Sequence, residues 1–130
     1  MNTLKHIIQS ICFVLITASA IAQTKQDTAT IKFFQQTITD TVAENNTNLK
    51  YYFVFKNTGN EPLIIEYAQG SDPDFPFYYP RMPIKPGGID SIGVVLWKQQ
   101  LKIPDLRRQY IVYYNKGKEV KLYLRRRIIK

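Results

Sequence analysis

Two apolar-rich runs joined by a cluster of turn-forming residues constrain the fold of this chain most strongly. The runs lie at 51–56 and 61–67, on either side of the tetrapeptide Asn57-Thr58-Gly59-Asn60. Side chains alternate between the two faces of a strand, and the following apolar residues all fall on one face: Phe53, Phe55, Leu63, Ile65 and Tyr67. Gly59 can adopt the positive φ of a tight loop, and the stretch therefore predicts a β-hairpin.

The rest of the chain also has the pattern of short strands. Segments rich in β-branched and aromatic residues lie at 29–34, 37–42, 89–97, 108–115 and 119–127, and the last two are joined by Lys116-Gly117. Five prolines between 73 and 86 exclude a helix there and indicate an extended crossing segment followed by a turn at Pro86-Gly87-Gly88. We predict an all-β fold, a single immunoglobulin-like antiparallel β-sandwich preceded by a helical signal peptide.

The N-terminus has the features of a secretory signal peptide. A positively charged start (residues 1–5) precedes an apolar stretch (7–16) and a small-residue site that predicts cleavage between Ala22 and Gln23. An uncleaved anchor is the alternative, but polar residues interrupt a segment already short for a membrane span. We therefore expect export to the periplasm or cell surface, with no transmembrane span after cleavage. The predicted organisation is 1–22 signal peptide, 23–48 polar tail and first edge strand, and 49–130 the core of the domain.

Composition limits the chemistry of the mature chain. Cys12 and His6, the only cysteine and histidine, both lie in the predicted signal peptide. Without them, Ser-His-Asp and Cys-His catalysis and the usual zinc sites are excluded, so we expect no catalytic residues, no metal, no cofactor and no enzymatic activity. Asp72 and Asp74 leave open a carboxylate-dependent enzyme acting on glycans, or a Ca²⁺ loop, although such acids more commonly form a solvated turn.

The C-terminal third is strongly basic. Residues 98–130 carry eleven Lys and Arg against two Asp and Glu, whereas residues 23–97 carry six against eight. The candidate binding residues in the last strand are Lys121, Tyr123, Arg125, Arg126 and Arg127. They favour an anionic partner such as a glycan, a lipid headgroup or an envelope protein, and an exported protein is not expected to meet nucleic acid. Protection of a sheet edge against aggregation is the structural alternative.

A second candidate surface is the aromatic run at 75–80. Phe77, Tyr78 and Tyr79 could bind a sugar or a partner protein if they were exposed. Because a small sandwich is short of core, we favour the interpretation that these rings fold over and cap the end of the sandwich.

Three motifs resemble those of a known family. Phe55-Lys56-Asn57-Thr58-Gly59 followed by Pro62-Leu63-Ile64-Ile65, then the segments 83–88 and 92–96, are similar to the DUF1573 family of bacterial exported proteins. The resemblance covers roughly residues 49–127 and implies an immunoglobulin-like or PapD-like sandwich. Many members of that family carry a Cys-Gly-Cys sequence where this chain has Gly70-Ser71-Asp72-Pro73, so no role of those cysteines can be transferred.

The function predicted from these features is that of a non-catalytic exported envelope protein acting as a binding or structural module. A protein that binds a polyanion or glycan through the basic C-terminal hairpin is the first alternative, and a carboxylate-dependent glycan enzyme is the second. The sequence does not predict an oligomeric state.

Overall fold

The computed structural model of the protein describes residues 28–71 and 76–130. The predicted signal peptide and its cleavage site at Ala22 and Gln23 lie outside the described residues, as do Asp72 and Asp74.

Eight strands form two four-stranded sheets that pack face to face. The strands are β1 (Ile31–Phe33), β2 (Thr37–Ala43), β3 (Lys50–Asn57), β4 (Ile65–Gly70), β5 (Pro76–Tyr78), β6 (Ile89–Val95), β7 (Asp105–Tyr114) and β8 (Lys118–Ile129), with a short 3-10 helix at Lys98–Lys102. The first sheet has the order β1-β3-β6-β5, and the second has the order β2-β8-β7-β4. The fold is the all-β sandwich predicted from the sequence.

One strand departs from the antiparallel arrangement expected. β2 runs parallel to β8, whereas the other strand pairs of both sheets are antiparallel. The chain leaves β1 at the edge of the first sheet and enters β2 at the edge of the second after only three residues, 34–36. β1 and β2 lie in the segment predicted to precede the core, and Ala29, Phe33 and Val42 in that segment are buried.

Side-chain alternation places the core between the sheets. β3 alternates strictly between exposed and buried positions over its whole length. The rings of Phe53 on β3 and Tyr110 on β7 lie 6.2 Å apart across the two layers. Ile92, Val94 and Leu96 point inward as predicted. Full burial of an aliphatic or aromatic side chain of this size contributes about 1.5–3 kcal/mol, so these layers account for much of the stability.

The prediction of a β-hairpin between residues 51 and 67 is wrong. β3 belongs to the first sheet and β4 to the second, so residues 58–64 cross between the layers. Asn57 is fully buried, and its Nδ2 donates to the carbonyl oxygens of Glu61 and Ile84 while its Oδ1 accepts from the Gly59 N–H at 3.0 Å. The turn residues therefore hold a crossing loop, not a hairpin.

Gly59 does not have the positive φ expected for a tight hairpin loop, and glycine is needed here because the surrounding backbone is crowded. A Cβ at this position would lie 2.1 Å from the Thr28 carbonyl oxygen. The Thr58 N–H donates to the Thr30 carbonyl, and the Asn60 N–H donates to the Thr28 carbonyl, so the crossing loop lies directly against the chain that enters β1. Another departure lies at the start of β4, where an irregularity between Ile65 and Tyr67 leaves Tyr67 exposed although the alternation placed it inside.

The described part of the proline-rich connection, from Pro76 onward, meets the crossing loop. Leu63 and Ile84 exchange two backbone hydrogen bonds of 2.8 Å, and the backbone of Asn57 bonds to Gly87 and Gly88. Gly87 has φ of +78°, as the predicted turn requires. Two of the three motifs that resemble the family therefore contact each other, and they stabilise the fold.

The C-terminal hairpin is confirmed and is longer than predicted. β7 and β8 pair over ten positions, from Asp105↔Arg127 to Tyr114↔Lys118. In the connecting turn, Asn115, Lys116 and Gly117 all have positive φ. The N–H groups of Lys116 and Gly117 both donate to Oε1 of Glu66, so this small anion-binding concavity is occupied by a side chain of the protein itself.

Candidate functional site

The outer face of the β7–β8 hairpin carries a group of basic side chains. Alternate positions of β8 point away from the core, and they are occupied by Lys121, Tyr123, Arg125 and Arg127. Arg107 on β7 is the cross-strand neighbour of Arg125. We call these five residues the basic face. Successive side chains of a strand point to opposite faces of the sheet, so the residues between the buried positions of β8 all lie on its outer face.

One carboxylate organises part of the basic face. The Asp105 carboxylate accepts two hydrogen bonds from Arg125, from Nε at 3.0 Å and from Nη2 at 2.9 Å, and a third from Arg107 Nη2 at 3.2 Å. The hydrogen bonds from Arg125 and then Arg107 lower the pKa of Asp105 to about 2. Arg125 is thus fixed in a bidentate pair, whose planar geometry suits a carboxylate.

The other cations of the basic face have no such partner. Lys121 and Arg127 are exposed, and neither forms an ion pair with any residue in 28–71 or 76–130. Thr39 and Thr41 on the adjacent β2 are the cross-strand neighbours of Arg125 and Arg127, and both present short polar side chains to solvent. Lys121 and Arg127 are therefore available to an external anion.

Arg126 is not part of this face, and its prediction as a binding residue is wrong. Its relative exposure is 0%, and it lies on the inward side of β8 with Leu122 and Leu124. Its Nη1 donates to the Leu101 carbonyl at 3.2 Å, and its Nη2 donates to the Asn46 carbonyl at 3.1 Å. Arg126 therefore ties β8 to the 3-10 helix and to the loop after β2.

Two more polar groups lie beside the buried arginine. Asp40 is the cross-strand neighbour of Arg126 on β2, and its carboxylate accepts a 2.6 Å hydrogen bond from the hydroxyl of Tyr51 on β3. Burial and this hydrogen bond raise the pKa of Tyr51 to about 12, although the nearby Arg126 opposes the change. The Asp40–Tyr51 bond links the two sheets beneath the β2 edge.

The predicted aromatic residues lie on the other sheet. Phe77 and Tyr78, on edge strand β5, are 43% and 41% exposed. The tip of the Phe77 ring occupies the space where a Cβ of Gly93 would be, and its ring is 5.8 Å from Tyr52 in an edge-to-face arrangement. Phe77 and Tyr78 do not cap the core, whereas Tyr79 is half-buried and packs against it.

The structure brings some of the predicted residues together and separates others. Lys121, Tyr123, Arg125 and Arg127 share one face, whereas Phe77 and Tyr78 belong to the opposite sheet, so the two candidate groups do not form one site. Sequence reasoning missed Arg107, because the predicted strand began at residue 108. β7 begins at Asp105, and extending the predicted strand back by one residue would have placed Arg107 on the outer face with Gln109.

Within residues 28–71 and 76–130, no group of three or more His, Cys, Asp or Glu side chains could hold a metal ion. In the same residues, no helix has the length and apolar character that crossing a bilayer requires. One cleft of about 470 Å³ lies beside the 3-10 helix, and Glu44 is the acidic residue among those lining it.

The fold is shared with solved structures. A crystal structure of a protein of unknown function from Porphyromonas gingivalis W83 superposes with a TM-score of 0.61 at 17% identity, over 84% of this chain and 51% of that one. This chain therefore spans about half the length of that protein. The ASH/PapD-like domain of human CEP192 (PapD-like domain 7) gives a TM-score of 0.54 at 12% identity, over 84% of this chain and 92% of the domain.

These likenesses show the fold alone, and they define a PapD-like, immunoglobulin-like β-sandwich. The chain belongs to the DUF1573 family, described as protein of unknown function, whose family model matches residues 21–127. The match confirms the family resemblance and extends it toward the N-terminus, to the residues that form β1 and β2. No curated protein sequence matches the chain.

Proposed function

We propose that the protein is a non-catalytic, exported interaction module that binds an anionic component of the cell envelope through the basic face. The observation that carries this proposal is the exposure of Lys121 and Arg127, without ion-pair partners in the described residues, beside the ordered Arg107–Asp105–Arg125 group. A PapD-like fold in a family of unknown function is consistent with a binding role. Export is proposed from the N-terminal sequence.

The electrostatics support an anionic partner. The chain has a formal net charge of +8, and the basic residues of its last third are concentrated on the β7–β8 hairpin and its flanks. Exposed charges of this kind contribute more to association rate and orientation than to affinity, and salt screens them over about 10 Å at 0.1 M ionic strength. Binding through the basic face should therefore weaken as salt is added.

A matched pair of variants tests the proposal. Lys121→Gln with Arg127→Gln removes two charges from the basic face and leaves the Asp105 group intact. Lys32→Gln with Lys56→Gln removes the same charge from the outer face of the first sheet, where these two lysines are cross-strand neighbours. All four side chains are exposed, so both variants should fold.

The assay is retention of the purified, tagged protein on cell envelope isolated from its own source, at low salt. We expect the Lys121/Arg127 variant to lose most of its retention and the Lys32/Lys56 variant to behave like the unmodified protein. Equal retention of all three proteins, or equal loss by both variants, would show that the basic face is not the binding surface.

Export has its own test. N-terminal sequencing of the protein recovered from the envelope fraction should begin at Gln23. Recovery from the cytosol with residues 1–22 still attached would contradict the proposed localisation.

A further inference from the structure

The outer edge of β2 differs from the other sheet edges. β1 and β5 have only three residues each, β1 contains Lys32, and β5 begins with Pro76. The pairing of β4 is irregular between Ile65 and Tyr67. Short length, proline, lysine and bulges are the devices by which proteins prevent pairing at sheet edges. β2 has seven residues in regular register and, among the edge strands described, is the one without proline, lysine, a bulge or a shortened length.

The backbone of β2 presents unpaired hydrogen-bonding groups along this edge. The Tyr123 N–H donates to the Gln36 carbonyl, and alternate residues of a parallel strand bond to the same neighbour. Residues 36, 38, 40 and 42 therefore face β8, and the N–H and C=O groups of Thr37, Thr39 and Thr41 point away from it. No residue in the described ranges forms a hydrogen bond with these outward groups of the three threonines.

The charged residue of β2 points inward, which can block an edge because a new strand would bury the charge, but this carboxylate already has a partner inside the sandwich. Asp40 points inward, where its carboxylate accepts a hydrogen bond from Tyr51 and lies beside buried Arg126. Ile38 and Val42 flank it on the same inward side and pack within the sandwich. An added strand would therefore meet an edge in regular register, where apolar Ile38 and Val42 flank a carboxylate that is already hydrogen-bonded.

We propose that the β2 edge receives an extended segment of a partner protein, which adds a ninth strand to the sandwich and has acidic side chains on its solvent-facing side. Backbone hydrogen bonds to Thr37, Thr39 and Thr41 supply affinity, and alternate side chains supply specificity. The inference rests on the proposed function, because the basic face selects the charge of the segment. It specifies the partner as a protein chain bound in extended form.

Charge complementarity identifies the chemistry of this segment. A strand added to β2 lies about 10 Å from β8, which is two strand spacings. Only the short side chains of Thr39 and Thr41 intervene, so Arg127 can extend over them toward a carboxylate on the new strand. A second copy of this chain is a poorer occupant, because each copy carries a net charge of +8.

The probe is a short synthetic peptide that alternates threonine and glutamate, and its control alternates threonine and lysine. Thr39→Pro removes one outward N–H and is compatible with the fold, because proline is tolerated where a strand's N–H faces solvent. Thr39→Val is the matched control, since it keeps the N–H and nearly the same side-chain volume. Circular dichroism and the unfolding midpoint establish that each variant is folded.

We expect the glutamate peptide to bind the unmodified protein and Thr39→Val with equal affinity. The affinity of the glutamate peptide for Thr39→Pro, and that of the lysine peptide for the unmodified protein, should be lower by at least about tenfold, equivalent to 1.4 kcal/mol. Independently of any variant, the amide protons of Thr37, Thr39 and Thr41 should exchange rapidly in the free protein and become protected by the glutamate peptide. Failure of the peptide to bind, equal binding by Thr39→Pro, or absence of this protection would overturn the inference.

Two outcomes separate this inference from its alternatives. If Thr39→Pro retains envelope binding while Lys121→Gln with Arg127→Gln loses it, the basic face functions without strand addition, and the edge inference is wrong while the proposed function stands. If size-exclusion chromatography shows a dimer that Thr39→Pro dissociates, a second copy occupies the edge and the acidic partner is refuted.

Discussion

Replacing Arg126 with alanine tests the distinction between buried and exposed cations on β8. Arg126 donates hydrogen bonds to the carbonyl oxygens of Leu101 and Asn46, and alanine removes both donors. A hydrogen bond to a charged group contributes about 1.5–3 kcal/mol, so the two together contribute about 3–6 kcal/mol. Relief from burying a guanidinium offsets part of this loss. We therefore expect Arg126→Ala to lower the free energy of unfolding by about 3 kcal/mol.

The matched control is the next residue on the same strand. Arg127 is exposed and forms no ion pair with the described residues, so Arg127→Ala should change stability by no more than about 0.5 kcal/mol. Urea unfolding followed by circular dichroism measures both values, and in thermal scans the Arg126→Ala midpoint should fall by roughly 15 °C. Similar losses for the two variants, or a loss below about 1 kcal/mol for Arg126→Ala, would refute the assignment of Arg126 to the interior.

Three further perturbations follow from the structure. Gly59→Ala places a Cβ against the Thr28 carbonyl and should cost about 1–3 kcal/mol in urea unfolding, and an unchanged midpoint would contradict the packing of the crossing loop. Tyr51 keeps its proton to about pH 12 in the folded state but loses it near pH 10 when unfolded, so stability should fall as pH rises through 10–12. Tyr51→Phe should lack that component, and an identical alkaline profile would exclude ionisation of the buried Tyr51 hydroxyl as its source. Asp105→Asn releases Arg107 and Arg125 from their shared carboxylate and should raise the salt concentration needed to elute the protein from envelope, whereas weaker retention would show that the ordered group itself is required.

The strands were predictable where burial on one face dominates the pattern. β7 and β8 follow an alternation, and the turn at Gly117 joins them as expected. The hairpin at 51–67 could not be distinguished from a crossing loop, because Asn-Thr-Gly-Asn is also a good hairpin turn. The deciding contact joins Asn57 Nδ2 to the Ile84 carbonyl, 27 residues away in the sequence.

Arg126 shows a different limit of sequence reasoning. The alternation that puts Leu122 and Leu124 inside also puts Arg126 inside, but a charged residue between two other arginines favours an exposed assignment. Its acceptors at Leu101 and Asn46 lie 25 and 80 residues away, so only the folded chain shows that Nη1 and Nη2 of the guanidinium find acceptors there. The basic face was therefore predictable from β8 except for this residue and for Arg107.

Salt dependence of envelope binding tests the central claim that the basic face recognises an anionic partner. The affinity of purified protein for isolated envelope is measured over a range of salt concentrations. The proteins compared are the unmodified chain, Lys32→Gln with Lys56→Gln, and Lys121→Gln with Arg127→Gln. We expect the unmodified protein and Lys32→Gln with Lys56→Gln to bind with the same steep salt dependence, because screening acts on contacts at the basic face. Lys121→Gln with Arg127→Gln should bind weakly and respond little to salt. If this variant instead kept the affinity and salt dependence of the unmodified protein, the anionic partner would have to be recognised elsewhere on the molecule.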